Sequence, residues 1–241
     1  MPLDLFQLMR ELADFDTALL ANTINYIDHT PTHDYYMSGD IQSLTPTISP
    51  TVGVAVTCEL DSSSPDNPVA LELYWQQLEQ IEAMDLPAVW VIKTVGERPD
   101  HECVIGDGMA KVLTRAGCIG VVSDGRVRDV AGVTSAGLAV YARGKCVHHT
   151  ALRFTKINEP VSIGGITVNP GDVIHANDEG VIVVPPTCLE ILPEQLISMR
   201  AFEHDLHRQW RRTDLSIADK RRIGIELFEQ YGFTKFKNVE L

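Results

Sequence analysis

The chain has 241 residues, of which 44% are hydrophobic and 22% charged, enough apolar material for one full core, so a single domain over residues 1–241 is expected. A formal net charge of −13 speaks against a nucleic-acid backbone as partner, because binding phosphates needs a basic surface. Small anions remain open as ligands, since an arginine and a divalent cation at a site outweigh surface carboxylates that salt screens beyond about 8 Å. No apolar run approaches the roughly 20 residues that cross a bilayer, and residues 1–16 mix charges with apolar side chains, so no membrane partner is expected.

Along the chain, Leu5, Leu8, Met9 and Leu12 recur at helical spacing, as do residues 18–24, which predicts two helices. Residues 28–50, rich in Thr, Pro, Ser and Asp, read as a loop long enough to be a lid or an interface arm. Residues 52–60 read as a strand, 68–84 as a helix opened by Pro68, and 86–93 as a second apolar strand. Past the central segment the chain turns β-rich, over 138–141, 152–157, 161–168 and 180–184, with turns at Gly164-Gly165 and Pro170-Gly171. Residues 187–212 and 216–231 are helical in composition, with Pro193 breaking or kinking the first stretch. Strands alternating with helices early and hairpins later predict an α/β fold, a layered α/β/α sandwich with a mixed central sheet and extra N- and C-terminal helices.

The five cysteines, Cys58, Cys103, Cys118, Cys146 and Cys188, are scattered and never form Cys-x-x-Cys, which fits reduced thiols and a cytoplasmic location. Cys118, beside an apolar strand, reads as a small core residue. His29 with His33, the pair His148-His149, and His204 with His207 lie in polar surroundings without a metal motif and read as solvated.

Residues 106–129 carry the chemistry. Met109, Val112, Leu113 and Ala116 predict an amphipathic helix that Gly117 can end in a left-handed cap, and residues 119–122 predict a short buried strand. Asp124-Gly125 then turns the chain, with Asp124 shaping the turn, and the strand's exit presents Arg128 and Asp129, a fixed cation beside a carboxylate able to bind metal. Exits of this kind are where α/β sheets bind ligands. Arg126 points away from Arg128 if the backbone is extended there. A bland reading stands beside this one: Arg128-Asp129 as a surface ion pair worth about 0–1 kcal/mol, and Asp107 as a helix cap.

The order Gly106-Asp107, a helix, Gly117-x-x-Gly120, then Asp124-Gly125-x-x-Arg128-Asp129 resembles the RraA-like family, which includes 4-hydroxy-4-methyl-2-oxoglutarate aldolase/oxaloacetate decarboxylase enzymes and regulators of RNase E. Ala142-Arg143-Gly144, residues 160–165, residues 169–173, Asp178-Glu179-Gly180-Val181 and Val184-Pro185 continue the likeness, which covers a core of about residues 52–185. Residues 1–51 then form N-terminal helices and a loop, and residues 186–241 a C-terminal helical extension; Ala21-Asn22 stands where an Asp-Ala pair is usual.

The resemblance implies the swivelling, phosphohistidine-domain-like version of the sandwich and a homotrimer or hexamer. It implies that Asp129 ligates a divalent cation, that Asp107 holds a metal-bound water, and that Arg128 binds substrate. The backbone of Gly108 and Met109, at a helix N-terminus, is expected to grip the substrate carboxylate. One protein carboxylate with water ligands suits Mg2+, with Mn2+ or another divalent cation as the alternative, and argues against zinc. A C-terminal acid such as Glu203 is expected near a neighbouring subunit's metal. The implied activity is carbon–carbon cleavage of a small anionic 2-oxo diacid with release of pyruvate. The rival is a non-catalytic regulator that binds and inhibits an RNA-processing enzyme.

Overall fold

The computed structural model describes residues 4–233; the last eight residues of the expected C-terminal extension lie outside them. Helices α1 (Leu5–Leu12) and α2 (Thr17–Ile27) come first, each begun by an aspartate, Asp4 and Asp16, whose side chain accepts a backbone N–H of the first turn. There follow β1 (Gln42–Ser43), β2 (Thr51–Asp61), α3 (Glu72–Glu82), β3 (Ala88–Thr94), β4 (Cys103–Ile105), α4 (Asp107–Ala116), β5 (Cys118–Ser123), β6 (Arg126–Val127), α5 (Val130–Ser135) and β7 (Ala139–Ala142). The second half adds β8 (Arg153–Ile157), β9 (Val161–Ile163), β10 (Ile166–Val168), β11 (Val173–Asn177), β12 (Gly180–Val184), α6 (Leu192–Trp210) and α7 (Ile217–Gln230).

The main sheet is mixed and runs β1-β7-β5-β3-β2-β11-β12, with β8 also on β2. Strands β7, β5, β3 and β2 are parallel, and the outer pairings are antiparallel. The eleven-residue β2 divides its edge: Thr51 to Val54 pair with β11, and Cys58 to Asp61 with β8. Near-continuous burial along β2 and β3 is what a sheet covered on both faces requires.

Alternation along the strands sorts the two covers. Val52 and Val54 pack with α1, α2 and α6, while Val56, Cys58, Leu60, Trp90, Ile92, Val121 and Val140 pack with α3, α4 and α5, all on one face. Ala55, Val89, Val91, Val122, Ala139 and Tyr141 point the other way, onto the β9–β10 hairpin and onto Met37 and Ile41. The expected α/β/α layering is therefore corrected: the second face is closed by a hairpin and a loop. That loop is the stretch read as a lid or arm. Met37 N–H donates to the Val181 carbonyl and Ser38 N–H to the Gly164 carbonyl, and Tyr35, Met37 and Ile41 are buried, so it is part of the wall.

Three local expectations also shift. Helix α3 begins four residues after Pro68, because Ala70 is held by β8 through hydrogen bonds with Leu152 and Phe154. Pro193 lies in the first turn of α6 and starts that helix, where its missing N–H costs nothing. Strand β11, not foreseen in the sequence between the Pro170-Gly171 turn and Gly180, is paired on both sides. Among the described residues no helix is long and apolar enough to cross a membrane.

Candidate active site

The site grows from a small parallel pair at the end of the main sheet. Strand β4 aligns with β6, Arg128 N–H donates to the Ile105 carbonyl at 3.0 Å, and Val127 bridges to Lys145. The starts of α4 and α5 are thereby brought together. Gly106, not Asp107, is the N-cap of α4, so the capping reading of Asp107 is corrected: Asp107 is the first helical residue. Its carboxylate accepts from Lys111 Nζ at 2.7 Å, one turn on, and Lys111 holds it below the usual carboxylate range.

Asp129 occupies the N-cap position of α5 in the left-handed region, φ 54°, yet its side chain caps nothing. Aspartate is among the few non-glycine residues that adopt this conformation, and here it does so without a capping bond to α5. Its Oδ2 lies 3.5 Å from Arg128 Nε. Two glycines admit this crowding. A Cβ on Gly106 would stand 3.0 Å from Arg128 Nε and 3.3 Å from Asp129 Oδ2, and one on Gly132 would stand 2.6 Å from Asp107 Cβ.

A cleft of about 580 Å³ results, with Asp107, Arg128 and Asp129 on its wall together with Gly132, Lys145 and Cys146. Gly108 and Met109 lie in the first turn of α4, just beyond that lining. Arg126 turns outward to Asp100 and the Pro99 carbonyl, as its alternation with Arg128 predicted. Asp124 does not shape its own turn. It is buried and accepts from Thr94 N–H, Thr94 Oγ1 and Lys93, which fastens the exit of β5 to the end of β3.

Two cleft residues, and a third that touches Arg128 from outside the lining, had no signal in the motif. Lys145 follows the Ala142-Arg143-Gly144 block and enters through its backbone bridge to Val127; it makes no ion pair among the described residues. The Cys146 thiol is drawn below its usual range by the Cys103 side chain and by the Arg126 and Arg128 guanidiniums. His148, read as a solvated loop residue, meets Arg128: Nη1 lies 3.2 Å from His148 Nδ1. A guanidinium only donates, so Nδ1 is the acceptor and the ring proton sits on Nε2. His29 and His33, by contrast, are exposed as expected, and Cys118 is core. Glu203, on α6, accepts from Asn22 Nδ2 at 3.0 Å and ties α6 to α2.

The donor set fits a hard, hydrated divalent cation. Asp107 and Asp129 offer oxygen only, and among the described residues no three His, Cys, Asp or Glu side chains gather as an all-protein cage would need. The close approach allowed by Gly106 and Gly132 keeps both carboxylates on one wall.

A protein-family model described as RraA-like, Aldolase/RraA, matches residues 20–183. A protein of Ectopseudomonas mendocina named "Putative 4-hydroxy-4-methyl-2-oxoglutarate aldolase" is 33% identical over 106 residues, 43% of this chain and 65% of that one. Protein DlpA of Legionella pneumophila is 36% identical over 105 residues, 42% of this chain but 17% of its own length. The chain thus spans less than two thirds of these curated relatives. The crystal structure of Streptomyces coelicolor RraAS2, titled an unusual member of the RNase ES inhibitor RraA protein family, superposes with a TM-score of 0.63 at 24% identity, covering 86% of this chain and 96% of that one. With a family model matched over most of its length and the same fold in a solved member, the chain belongs to the RraA-like family.

Proposed function

We propose that the protein is a divalent-metal-dependent lyase that cleaves a carbon–carbon bond of a 2-oxo diacid and releases pyruvate, by aldol cleavage of 4-hydroxy-2-oxo acids, by decarboxylation of oxaloacetate, or by both. One observation carries the reading: Asp107 at the start of α4 and the Arg128-Asp129 pair at the start of α5 meet on one cleft, with Asp129 in the left-handed region. The relatives named as 4-hydroxy-4-methyl-2-oxoglutarate aldolases support the same class of reaction.

Asp129, with Asp107 acting through water, would hold Mg2+ or Mn2+, and the cation would supply positive charge to the carboxylate and keto oxygens of the pyruvate portion. The chain's own residues do the rest. Arg128 presents a planar fork to the oxygen on which negative charge develops as the bond breaks, and His148 fixes that fork's orientation. The first-turn N–H groups of Gly108 and Met109 would receive a substrate carboxylate, as a helix N-terminus can. Asp107 orients the water that takes the proton from a 4-hydroxyl. Lys111, one turn on, pairs with the Asp107 carboxylate and favours its ionised form. Oxaloacetate needs no such base.

The rival, a binding protein that inhibits an RNA-processing enzyme, explains the acidic surface but gives Asp129 no reason for its backbone conformation. We further propose a homotrimer or hexamer in the cytoplasm, supported by the exposed Ile197, Trp210, Ile217 and Ile225 on α6 and α7 and by five unpaired thiols, with Glu203 as a candidate acid near a neighbouring site.

The test is Asp107→Asn assayed on both substrate types. Aldol cleavage should fall about 10²-fold or more, the scale of a lost general base, and decarboxylation much less. Equal loss of both would replace the proton role with one in metal binding.

A further inference from the structure

A smaller pocket of about 190 Å³ is linked to Arg128 through His148, which lines it. Its floor is Ser62 and Ser63, both buried, and its walls carry Arg98, His101, His148 and His149. Both walls are pinned to that floor. Arg98 N–H donates to Ser63 Oγ at 3.0 Å, and Thr150 N–H, next to the two histidines, donates to the Ser62 carbonyl at 2.8 Å.

Two of the carboxylates nearby are already committed. The buried Glu102 carboxylate accepts from Ser62 N–H, Ser62 Oγ and Ser63 Oγ behind the floor, and Asp100 is paired with Arg126. Arg98, by contrast, makes no ion pair among the described residues, and the His148 ring, whose Nδ1 accepts from Arg128, keeps its Nε2–H to give. A pocket lined by an arginine and three histidines in a chain of net charge −13, with the His148 Nε2–H among its donors, suits an oxyanion. His148 lines this pocket and also touches Arg128 of the main cleft, so one side chain is shared between the two.

We infer that this pocket is a second anion subsite, with Arg98 as its specificity-determining residue, and that it receives the distal carboxylate or phosphate of a 2-oxo acid whose pyruvate end lies at Arg128. This assignment rests on the proposed lyase reading for the position of the pyruvate end. It makes the preferred substrates extended dianions and not short monoacids.

The experiment is equilibrium binding by calorimetry on the full chain in magnesium-containing buffer. The ligands are pyruvate, then 2-oxoglutarate, 2-oxoadipate and 2-oxopimelate, then 3-phosphohydroxypyruvate. At least one dianion should bind about tenfold or more tighter than pyruvate, the scale of one charge-assisted hydrogen bond. Arg98→Ala should shrink that preference and Arg98→Glu should remove it, with pyruvate affinity unchanged in both. Arg98 is exposed and holds the loop through its backbone N–H and carbonyl, so both variants should fold. Tightest binding by the phosphate compound would identify phosphate as the group, and by a diacid, carboxylate. Equal affinity for every ligand, a preference untouched in both variants, or equal loss of pyruvate and dianion binding would each overturn the subsite. A dianion preference that depends on Arg98 but comes without turnover would sink the lyase reading and leave the subsite standing; turnover without the preference would do the reverse.

Discussion

Gly132 packs on Asp107 so closely that a single added methyl group would stand 2.6 Å from the aspartate's Cβ, which joins the starts of α4 and α5 into one wall. In an open helix, replacing glycine by alanine gains roughly 0.5–1 kcal/mol. Here Gly132→Ala should instead cost about 1–3 kcal/mol, as overpacking does, and should lower kcat/KM at least tenfold by moving Asp107. Denaturant unfolding and steady-state kinetics check the two halves together. A stable, fully active alanine variant would show that Asp107 has room to spare and no fixed position to lose.

Asp129 separates backbone from side-chain effects. Its φ of 54° suits glycine or asparagine, so Asp129→Gly and Asp129→Asn should both stay within about 1 kcal/mol of the parent stability. Both should be inactive, since neither keeps a carboxylate. Residual turnover near the parent level in the asparagine variant would leave the strained conformation without a catalytic explanation.

Arg128→Lys keeps the charge but not the planar fork, and it loses the bond to His148 Nδ1. A loss of about 10²-fold in kcat, the scale of removing a preorganised donor, is expected. Normal turnover would reduce Arg128 to the partner of a surface ion pair.

Stability should also depend on pH through a residue far from the cleft. His175 is fully buried, donates from Nε2 to the Leu12 carbonyl and accepts at Nδ1 from Thr17 Oγ1, and burial drives its pKa down to about 4. Its folded value lies below the unfolded value near 6.5, so the unfolded chain takes up the proton first. The stabilisation is complete above about pH 6.5 and is lost as pH falls towards 4, by up to about 3 kcal/mol. Unfolding free energies measured at pH 7 and pH 5 should show the decline, and His175→Gln should flatten it. An unchanged slope in that variant would assign the acid sensitivity elsewhere.

The sequence made the site legible where its residues are close in the chain. Asp107, Arg128 and Asp129 belong to one run of helix, strand and turn, and Gly117 ends α4 with φ 106° as its position requires. Lys145, His148 and Arg98 were not legible, because they arrive through a backbone bridge to Val127 and through hydrogen bonds to Ser62 and Ser63 that leave no periodic mark. The second cover of the sheet was misread for a related reason. Val89, Val91 and Val122 are apolar whether a helix or the β9–β10 hairpin lies over them, so strand composition reports burial and not what does the burying.

The central claim, metal-dependent release of pyruvate at the Asp129 cleft, is tested most directly by one titration. Pyruvate formation from oxaloacetate and from 4-hydroxy-4-methyl-2-oxoglutarate is followed as magnesium is added to chelator-stripped protein, with Asp129→Asn alongside. The account predicts no turnover in excess chelator, saturable recovery with magnesium or manganese, and no recovery at any metal concentration in the asparagine variant. Turnover that persists in chelator, or an asparagine variant that magnesium restores in full, would contradict it.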